Sequence, residues 1–159
     1  MRTLVAVCGS DADDAHLSSV ALEVAERVGR GIAQRGGVMR AACKGAKEMN
    51  GVTVGLLPDS KDEANEFVGI PLSTGLGMRR NFLVVSAADA VIAIGGRWGT
   101  LNEISFAMIF QIPVVLVAGT GGCVDELATG NLMKESEPRF YVARSAEEAV
   151  EKAFTLCQK

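Results

Sequence analysis

A strand, a glycine-rich loop and a helix follow one another over residues 90–103, an order that can hold a phosphate group. The apolar run at residues 90–94 precedes the loop sequence GGRWGT at residues 95–100, and Glu103 lies about one helical turn further on. Glycines let a backbone approach a ligand and adopt positive φ, while free N–H groups at a helix start attract a phosphate. We predict that Thr100 either caps this helix or donates its hydroxyl to the phosphate.

The same segment also has a purely structural explanation. It is then a tight turn from strand to helix, in which Glu103 serves only as the capping partner of Thr100. A glycine loop by itself is weak evidence for a ligand site. The choice between the two explanations therefore depends on the rest of the chain.

Two further glycine turns favour a ligand site. Gly9 and Ser10 follow the first predicted strand, and Gly37 lies at the start of a helix that carries Met39. In open parallel sheets, ligands bind outside the carboxyl ends of the strands. We therefore expect these turns and the loop at residues 95–100 to meet at one edge of the sheet.

Two arginines, Arg79 and Arg80, lie side by side near the start of the helix that precedes this strand. Such a pair is most often a solvated helix face. A guanidinium can instead bind a phosphate or carboxylate with its planar set of donors. We predict that Arg80 is functional and that Arg79 faces the solvent.

Short apolar runs alternate with longer helical patterns along the chain, which predicts βαβ units and a mainly parallel sheet. The predicted strands cover residues 3–7, 52–57, 90–94, 114–118 and 140–142. The predicted helices cover residues 14–34, 38–49, 78–88, 100–110, 124–129 and 146–156. Ser145 and Glu148 form a capping-box pattern at the last of them. We expect an α/β fold, a Rossmann-like three-layer sandwich whose strands are buried on both faces.

One expected strand is missing near residue 36. In a doubly wound fold, the helix predicted at residues 14–34 should lead to a new parallel strand, but Gly36 and Gly37 lead into another helical pattern. Either the sheet lacks this strand, or residues between about Arg35 and Gly37 are absent from the sequence.

Composition and charge exclude several classes of protein. The 159 residues are 48% hydrophobic and 5% aromatic, which fits a single domain over residues 1–159 with an aliphatic core. The net charge of −3 gives no electrostatic reason to expect a nucleic acid or a membrane surface as partner.

The cysteines and the histidine also exclude several kinds of site. The four cysteines contain no C-x-x-C pair, so their spacing predicts neither a zinc cluster nor a redox dithiol. The single histidine, His16, excludes triads and metal sites that need several histidines. The apolar stretch at residues 4–7 is too short for a signal peptide or a membrane span, which predicts a cytoplasmic protein with reduced thiols.

The pattern Gly-x-x-Gly-Thr-x-x-Glu after a strand, with Arg80 and Asn81 about twenty residues earlier, resembles the Lonely Guy (LOG) family. The motif of that family is P-G-G-x-G-T-x-x-E, and its established members are phosphoribohydrolases that release a free base from nucleoside 5′-monophosphates. The chain is more similar to a related branch, the molybdenum-cofactor carrier proteins and their bacterial homologues, which bind cofactor or nucleotide on the same fold. The resemblance extends over nearly the whole chain.

This resemblance implies a role for individual residues. It places the family's catalytic glutamate at Glu103 and its catalytic arginine at Arg80, and its phosphate-binding turn at Gly96, Gly99 and Thr100. The predicted ligand-binding residues are Gly9, Ser10, Gly37, Met39, Gly95, Gly96, Arg97, Gly99 and Thr100.

Three positions depart from the family's pattern. Gly95 replaces the proline of the motif, Arg97 replaces its second glycine, and Asn81 replaces a lysine that the phosphoribohydrolases carry. Arg97 places a bulky cation where a small residue usually lets the substrate phosphate approach. It either pairs with that phosphate or obstructs the pocket, so binding is better supported than catalysis.

The resemblance leaves two functions open. One is cleavage of the N-glycosidic bond of a nucleoside monophosphate, in which Glu103 orients ribose hydroxyls or the attacking water and Arg80 holds the phosphate. The other is a non-catalytic carrier or sensor of a nucleotide or molybdenum cofactor. Neither requires a metal or a cofactor beyond a bound nucleotide or phosphate. A pyridoxal-phosphate lysine decarboxylase, an older label of the family, is not supported because no lysine lies in a suitable context.

The helix after the glycine loop points to a subunit interface. Residues 104–110 are apolar around much of the helix, which predicts that this segment is deeply buried or in contact with another subunit. The family resemblance also implies a homodimer or homotetramer. Trp98, the only tryptophan, either stacks on a base or packs across the loop or at a subunit contact.

Overall fold

The computed structural model describes residues 3–9, 18–29, 36–130 and 140–157 of the chain. Two residues discussed above, Ser10 and His16, lie outside these ranges. In the described part, no helix is both long and apolar enough to cross a membrane.

The described part of the chain contains six strands and six α-helices. The strands are β1 (Val5–Gly9), β2 (Val54–Leu57), β3 (Ile70–Ser73), β4 (Ala90–Ile94), β5 (Val114–Val117) and β6 (Phe140–Ala143). The α-helices are α1 (Ser19–Gly29), α2 (Gly36–Glu48), α3 (Arg80–Ser86), α4 (Trp98–Phe110), α5 (Gly122–Ala128) and α6 (Ala146–Leu156). Short 3-10 helices lie at Lys61–Glu63 and Gly77–Arg79.

All paired strands are parallel. One sheet has the order β1-β4-β5-β6, and β2 pairs with β3 in a separate two-stranded sheet. Gly9 at the end of β1 lies opposite Ile94 at the end of β4. The chain therefore leaves both strands at the same edge of the sheet, where ligands bind in folds of this class.

Helices cover both faces of the four-stranded sheet. Residues of α1, α2 and α6 pack in one apolar cluster with Ile92, whereas residues of α3, α4 and α5 pack in another with Val91 and Ala93. Every residue of β4 and β5 is buried, as expected for central parallel strands. The predicted Rossmann-like three-layer α/β sandwich is confirmed.

The strand β3 was not predicted from the sequence. It is four residues long, contains Pro71, and exposes Ile70 and Leu72, each by 45%. A short, exposed run with a proline is typical of an edge strand and lacks the buried apolar pattern used for prediction. The boundaries of four predicted strands also shift. β1 lies two residues later than predicted, β2 begins only at Val54, and the ends of β5 and β6 each move by one residue.

The described residues contain no strand between α1 and α2, which pack against each other. α1 ends at Gly29, α2 begins at Gly36, and β1 forms one edge of the larger sheet. Of the helix predicted at residues 14–34, the described part contains Ser19–Gly29. In α2, Gly37 has φ 43° and ψ −119°, which interrupts the first turn of the helix.

The predicted cap of the last helix is confirmed. The hydroxyl of Ser145 accepts the N–H of Glu148 at 3.2 Å, and the carboxylate of Glu148 accepts the N–H of Arg144 at 2.8 Å. These bonds satisfy donors at the start of α6 that the helix itself cannot satisfy.

Candidate functional site

The loop between β4 and α4 turns sharply at two glycines. Gly95 and Gly96 have φ values of 60° and 89°, in the left-handed region that favours glycine. Arg97 is extended, with φ −123° and ψ −144°, and its carbonyl accepts the N–H of Leu101 at 2.9 Å. Arg97 is therefore the N-cap residue of α4, and the helix begins at Trp98.

The prediction that Thr100 caps this helix is wrong, because α4 begins at Trp98, two residues earlier, and Arg97 is the N-cap residue. Thr100 is buried, with 3% exposure, and packs on Gly96. A Cβ on Gly96 would lie 2.2 Å from the hydroxyl oxygen of Thr100. Both the positive φ of residue 96 and its contact with Thr100 therefore require glycine at this position. The role of Thr100 as a phosphate donor stays a prediction.

A cavity of about 320 Å³ lies at the start of α4. It is lined by Gly9, Met39, Met78, Arg80, Asn81, Arg97, Trp98, Gly99, Thr100 and Glu103. The structure thus brings both predicted catalytic residues to one wall, together with several of the predicted ligand-binding residues. Their roles remain predictions, but their convergence is a structural fact.

The other predicted ligand-binding residues do not line the cavity. Gly95 and Gly96 lie directly before its wall in the chain, and Gly37 shapes the start of the helix that carries Met39. Ser10 lies outside the described residues.

Gly9 has a close-packing role as well as a place on the wall. A Cβ on this residue would lie 2.5 Å from the carbonyl oxygen of Ile94 and 2.5 Å from a methyl group of Val38. A side chain at this position would therefore push apart β1, β4 and α2, which meet at the cavity.

Arg80 and Glu103 form a largely buried ion pair. Nη1 of Arg80 lies 3.6 Å from Oε1 of Glu103, and the two side chains are 12% and 8% exposed. The Nε of Arg80 is buried and has no hydrogen-bond partner in the described part of the chain. A buried donor without an acceptor is costly, so a ligand oxygen next to it would stabilise the site. Arg79 is exposed, as predicted.

Two residues of the wall were not proposed as ligand-binding residues. Asn81 is 2% exposed, and its amide donates to the side-chain oxygen of Asn102 at 3.1 Å, which ties α3 to α4. Met78 is 62% exposed and contributes its methyl end. Asn81 directly follows Arg80 in the sequence and Met78 lies two positions before it, and this proximity was the signal available. Trp98 is 83% exposed at the rim of the cavity.

Two thiols lie beside the carboxylate of Glu103. Burial raises the pKa of Cys8 well above its ordinary value, and the charge of Glu103 raises it further. Burial also raises the pKa of Cys123 to about 11. Both cysteines are therefore neutral thiols near pH 7, which makes them poor nucleophiles.

The cavity wall is suited to an anion. The guanidinium groups of Arg80 and Arg97 and the free N–H groups at the start of α4 all favour negative charge. Among the described residues that line the cavity, Glu103 is the one carboxylate, whereas ordinary glycosidases use a pair of carboxylates. Within the described ranges, no group of three or more His, Cys, Asp or Glu residues is arranged to hold a metal ion.

Several known proteins are similar to this chain. An uncharacterized protein of Archaeoglobus fulgidus is 42% identical over 94 residues, which cover 54% of this chain and 62% of that protein. The molybdenum cofactor binding protein of the phototrophic bacterium Rippkaea orientalis has a TM-score of 0.83 and 28% identity, over 98% of both chains. The molybdenum cofactor carrier protein of Chlamydomonas reinhardtii has a TM-score of 0.83 and 29% identity, over 100% of both chains.

A comparison with protein-family models agrees with these similarities. The model of the SLOG cluster4 family matches residues 2–150, a range that includes the glycine loop and both residues of the Arg80–Glu103 pair. The resemblance to the LOG superfamily and its molybdenum-cofactor carrier branch is thereby confirmed. The chain is a member of the SLOG cluster4 family.

Proposed function

We propose that the protein binds a phosphate ester, either a nucleoside monophosphate or a related phosphorylated cofactor, in the cavity at the start of α4. The strongest support is Arg80, a largely buried guanidinium whose Nε has no partner among the described residues. It shares a cavity wall with the first turn of α4. Helix starts and arginine side chains are both preferred partners of phosphate.

In this proposal, the phosphate binds against the first turn of α4, near Gly99 and Thr100. Gly99 leaves room for it, because a Cβ there would meet only the flexible end of Met78, at 3.5 Å. The remainder of the ligand occupies the rest of the cavity. Trp98 at the rim is available to stack on a flat ring.

A phosphorylated cofactor carried without turnover is the preferred ligand class. The structural neighbours named as molybdenum cofactor binding and carrier proteins support it. Arg97 also supports it, because an arginine at the start of α4 adds positive charge for a multiply charged ligand, at a position where the phosphoribohydrolase motif has a small residue. No cofactor beyond this ligand is required.

Hydrolysis of a nucleoside monophosphate is a second candidate, favoured by the Arg80–Glu103 pair. Cleavage of an N-glycosidic bond passes through a transition state with positive charge on the ribosyl ring, which a nearby carboxylate stabilises. Glu103 supplies this carboxylate and orients ribose hydroxyls or the attacking water. Arg80 holds the phosphate and assists the departing base.

Calorimetric titration with AMP, GMP, CMP and inorganic phosphate tests the binding proposal. We expect wild-type protein to bind at least one of these nucleotides, and Arg80→Ala to weaken that binding about tenfold or more. Arg79→Ala is the matched control, since the exposed neighbour should leave Kd unchanged. Lack of binding of every nucleotide by the wild type would contradict nucleotide binding, and equal losses in the two variants would contradict the assignment of the site to Arg80.

Chromatography of the same mixtures distinguishes the two candidates. A hydrolase releases free base from one of the nucleotides, and Glu103→Ala abolishes that release. A carrier binds its ligand and leaves it intact, so that base never exceeds the level of the Glu103→Ala sample.

We further propose that the protein forms a homodimer or homotetramer through the outer face of α3 and α4. Phe82, Phe106 and Phe110 contact one another there, with ring centroids 5.4–5.9 Å apart, and Phe82 is 45% exposed. Ile109 of α4 is 70% exposed. Such an apolar surface is typical of an interface, and a monomer in light scattering would contradict this assignment.

A cytoplasmic location and the lack of nucleic-acid or membrane partners remain predictions from the sequence.

A further inference from the structure

A turn that does not line the cavity forms a hydrogen bond with the glycine loop. We propose that Thr120 in this turn is a positioning residue for the ligand site. This role rests on the binding function proposed above. The turn covers residues 118–121, between β5 and α5. Together with Gly122 and Cys123 at the start of α5 it forms one segment, and none of the residues of this segment is on the cavity wall. It contacts the backbone of Gly95 and Gly96, the two residues that direct the chain from β4 into α4.

The hydroxyl of Thr120 joins the glycine loop to the end of β5. It accepts the N–H of Gly95 at 2.8 Å and donates its own proton to the carbonyl of Val117 at 2.6 Å. Thr120 is 3% exposed, so both bonds form away from water. Losing the acceptor of a buried N–H is costly, because water cannot replace it. The hydroxyl therefore fixes the point at which the chain leaves β4.

The first residues of α5 contact the next carbonyl groups of the glycine loop. The N–H of Cys123 donates to the carbonyl of Gly96 at 2.8 Å. Its thiol lies 3.6 Å from the carbonyl oxygen of Gly95 and 3.5 Å from that of Arg97. A Cβ on Gly122 would lie 2.2 Å from the Gly96 oxygen. Three successive carbonyl groups of the loop are thus in contact with one short segment.

The turn is itself ordered by a carboxylate. The two oxygens of Asp125 accept the N–H groups of Gly119 and Gly121, at 2.8 and 2.9 Å. Those two glycines have φ values of 81° and 82°. Glycine backbones sample many conformations when unrestrained, so these bonds select the one that presents Thr120 to the loop.

The position of the loop decides the position of the anion site. Gly96 packs directly on Thr100, and the carbonyl of Arg97 makes the first hydrogen bond of α4. A small displacement of the loop therefore moves the N–H groups that hold the phosphate, and a misplacement of about 1 Å is enough to impair a preorganised site. Thr120 acts on the ligand through these groups without touching it.

Thr120→Val and a matched control test this role. The substitution removes the hydroxyl and keeps the size of the side chain. Thr53 provides the control, since it is 1% exposed, accepts the N–H of Gly69 at 2.6 Å, donates to the carbonyl of Phe67 at 2.9 Å, and does not line the cavity. Thr53→Val therefore removes the same two kinds of hydrogen bond from an equally buried hydroxyl elsewhere, although its partners are less buried than those of Thr120.

We expect both substitutions to lower the melting temperature, and only Thr120→Val to weaken AMP binding in calorimetry, by about tenfold. Thr53→Val should change the Kd for AMP by less than about twofold. Thr120→Ser should restore binding, because it restores the hydroxyl. If Thr120→Val fails to fold, Asp125→Asn, which weakens the support of the turn, should reduce affinity in the same direction.

Different results would contradict the positioning role of Thr120 and the proposed nucleotide binding. If wild-type protein binds AMP and Thr120→Val binds it equally well, the positioning role is wrong and the binding site stands. If wild-type protein does not bind AMP, the nucleotide that it does bind, GMP or CMP, replaces AMP in this comparison. If it binds none of the three, the nucleotide-binding proposal is contradicted, and alkylation of Cys123 by iodoacetamide then decides the role of Thr120. Iodoacetamide should alkylate Cys123 several-fold faster in Thr120→Val than in Thr53→Val, when each rate is divided by the rate at Cys157 in the same protein. Equal rates would overturn the inference.

Discussion

Replacing Gly96 with alanine is expected to damage the fold and the ligand site together. The residue has φ 89°, and the new methyl group would lie 2.2 Å from the hydroxyl oxygen and 2.4 Å from the Cβ of Thr100. A left-handed backbone costs alanine about 1–2 kcal/mol, and relieving the contact by moving α4 costs a further 1–3 kcal/mol or so. A total of about 3 kcal/mol lowers the Tm of a domain of this size by about 6–12 °C.

Gly130→Ala separates the two contributions. Gly130 has φ 74°, and a Cβ there meets no described residue within 4 Å, so its replacement should cost only the backbone part, about 1–2 kcal/mol. Urea denaturation of both variants gives the difference in the free energy of unfolding. AMP titration should show weaker binding only in Gly96→Ala. The reasoning would be refuted if Gly96→Ala were no less stable than Gly130→Ala, or if it bound AMP as the wild type does.

Three other predictions concern parts of the chain outside the cavity. Ser145→Ala removes the acceptor of the Glu148 N–H at the start of α6 and should lower the free energy of unfolding in urea by about 1 kcal/mol, whereas an unchanged value would contradict the cap. The pKa of Glu148 is lowered, first by the hydrogen bond from Tyr141 and then by that from the Arg144 N–H. Its stabilising effect is therefore complete above pH 4.5 and is lost as pH falls through the lower folded pKa, so Glu148→Gln should flatten the acid side of a Tm-against-pH curve. Because burial raises the pKa of Cys123 to about 11, its alkylation rate should still rise about tenfold per pH unit between about pH 8 and 10, and a plateau in this range would contradict the burial.

The segment that carries the candidate site was predictable because its signals are local. A buried parallel strand, glycines where the backbone needs positive φ, and a helix start follow one another within residues 90–103. Each depends on the physical properties of its own residues, so the pattern predicts the structure without knowledge of the rest of the fold. The start of α4 was nevertheless misplaced by two residues, because Thr100 is a good capping residue by type and Arg97 is not.

The support behind the loop was not predictable from the sequence. Thr120 contacts Gly95 across 25 positions of the chain, and a threonine after an apolar strand is too common to indicate such a bond. The thiols of Cys8 and Cys123 are also far apart in sequence, and they meet beside Glu103 only after the sheet forms. Long-range contacts of this kind follow from sheet order and register, which local patterns do not specify.

The small second sheet illustrates the same limit. β2 was predicted from its apolar residues, whereas β3 is defined mainly by its backbone bonds to β2 and by the hydrogen bond from the Ile70 N–H to the carbonyl of Thr53, at 2.9 Å. Its side chains are largely exposed and include Pro71. Hydrophobic patterning does not detect a strand that buries little apolar surface.

A crystal structure of the protein grown with a saturating concentration of AMP tests the central claim most directly. We predict phosphate density at the start of α4, with oxygens about 2.7–3.1 Å from the backbone N–H groups near Gly99 and Thr100 and from the guanidinium of Arg80. AMP bound elsewhere on the chain, with the cavity at the start of α4 filled only by water, would contradict the claim.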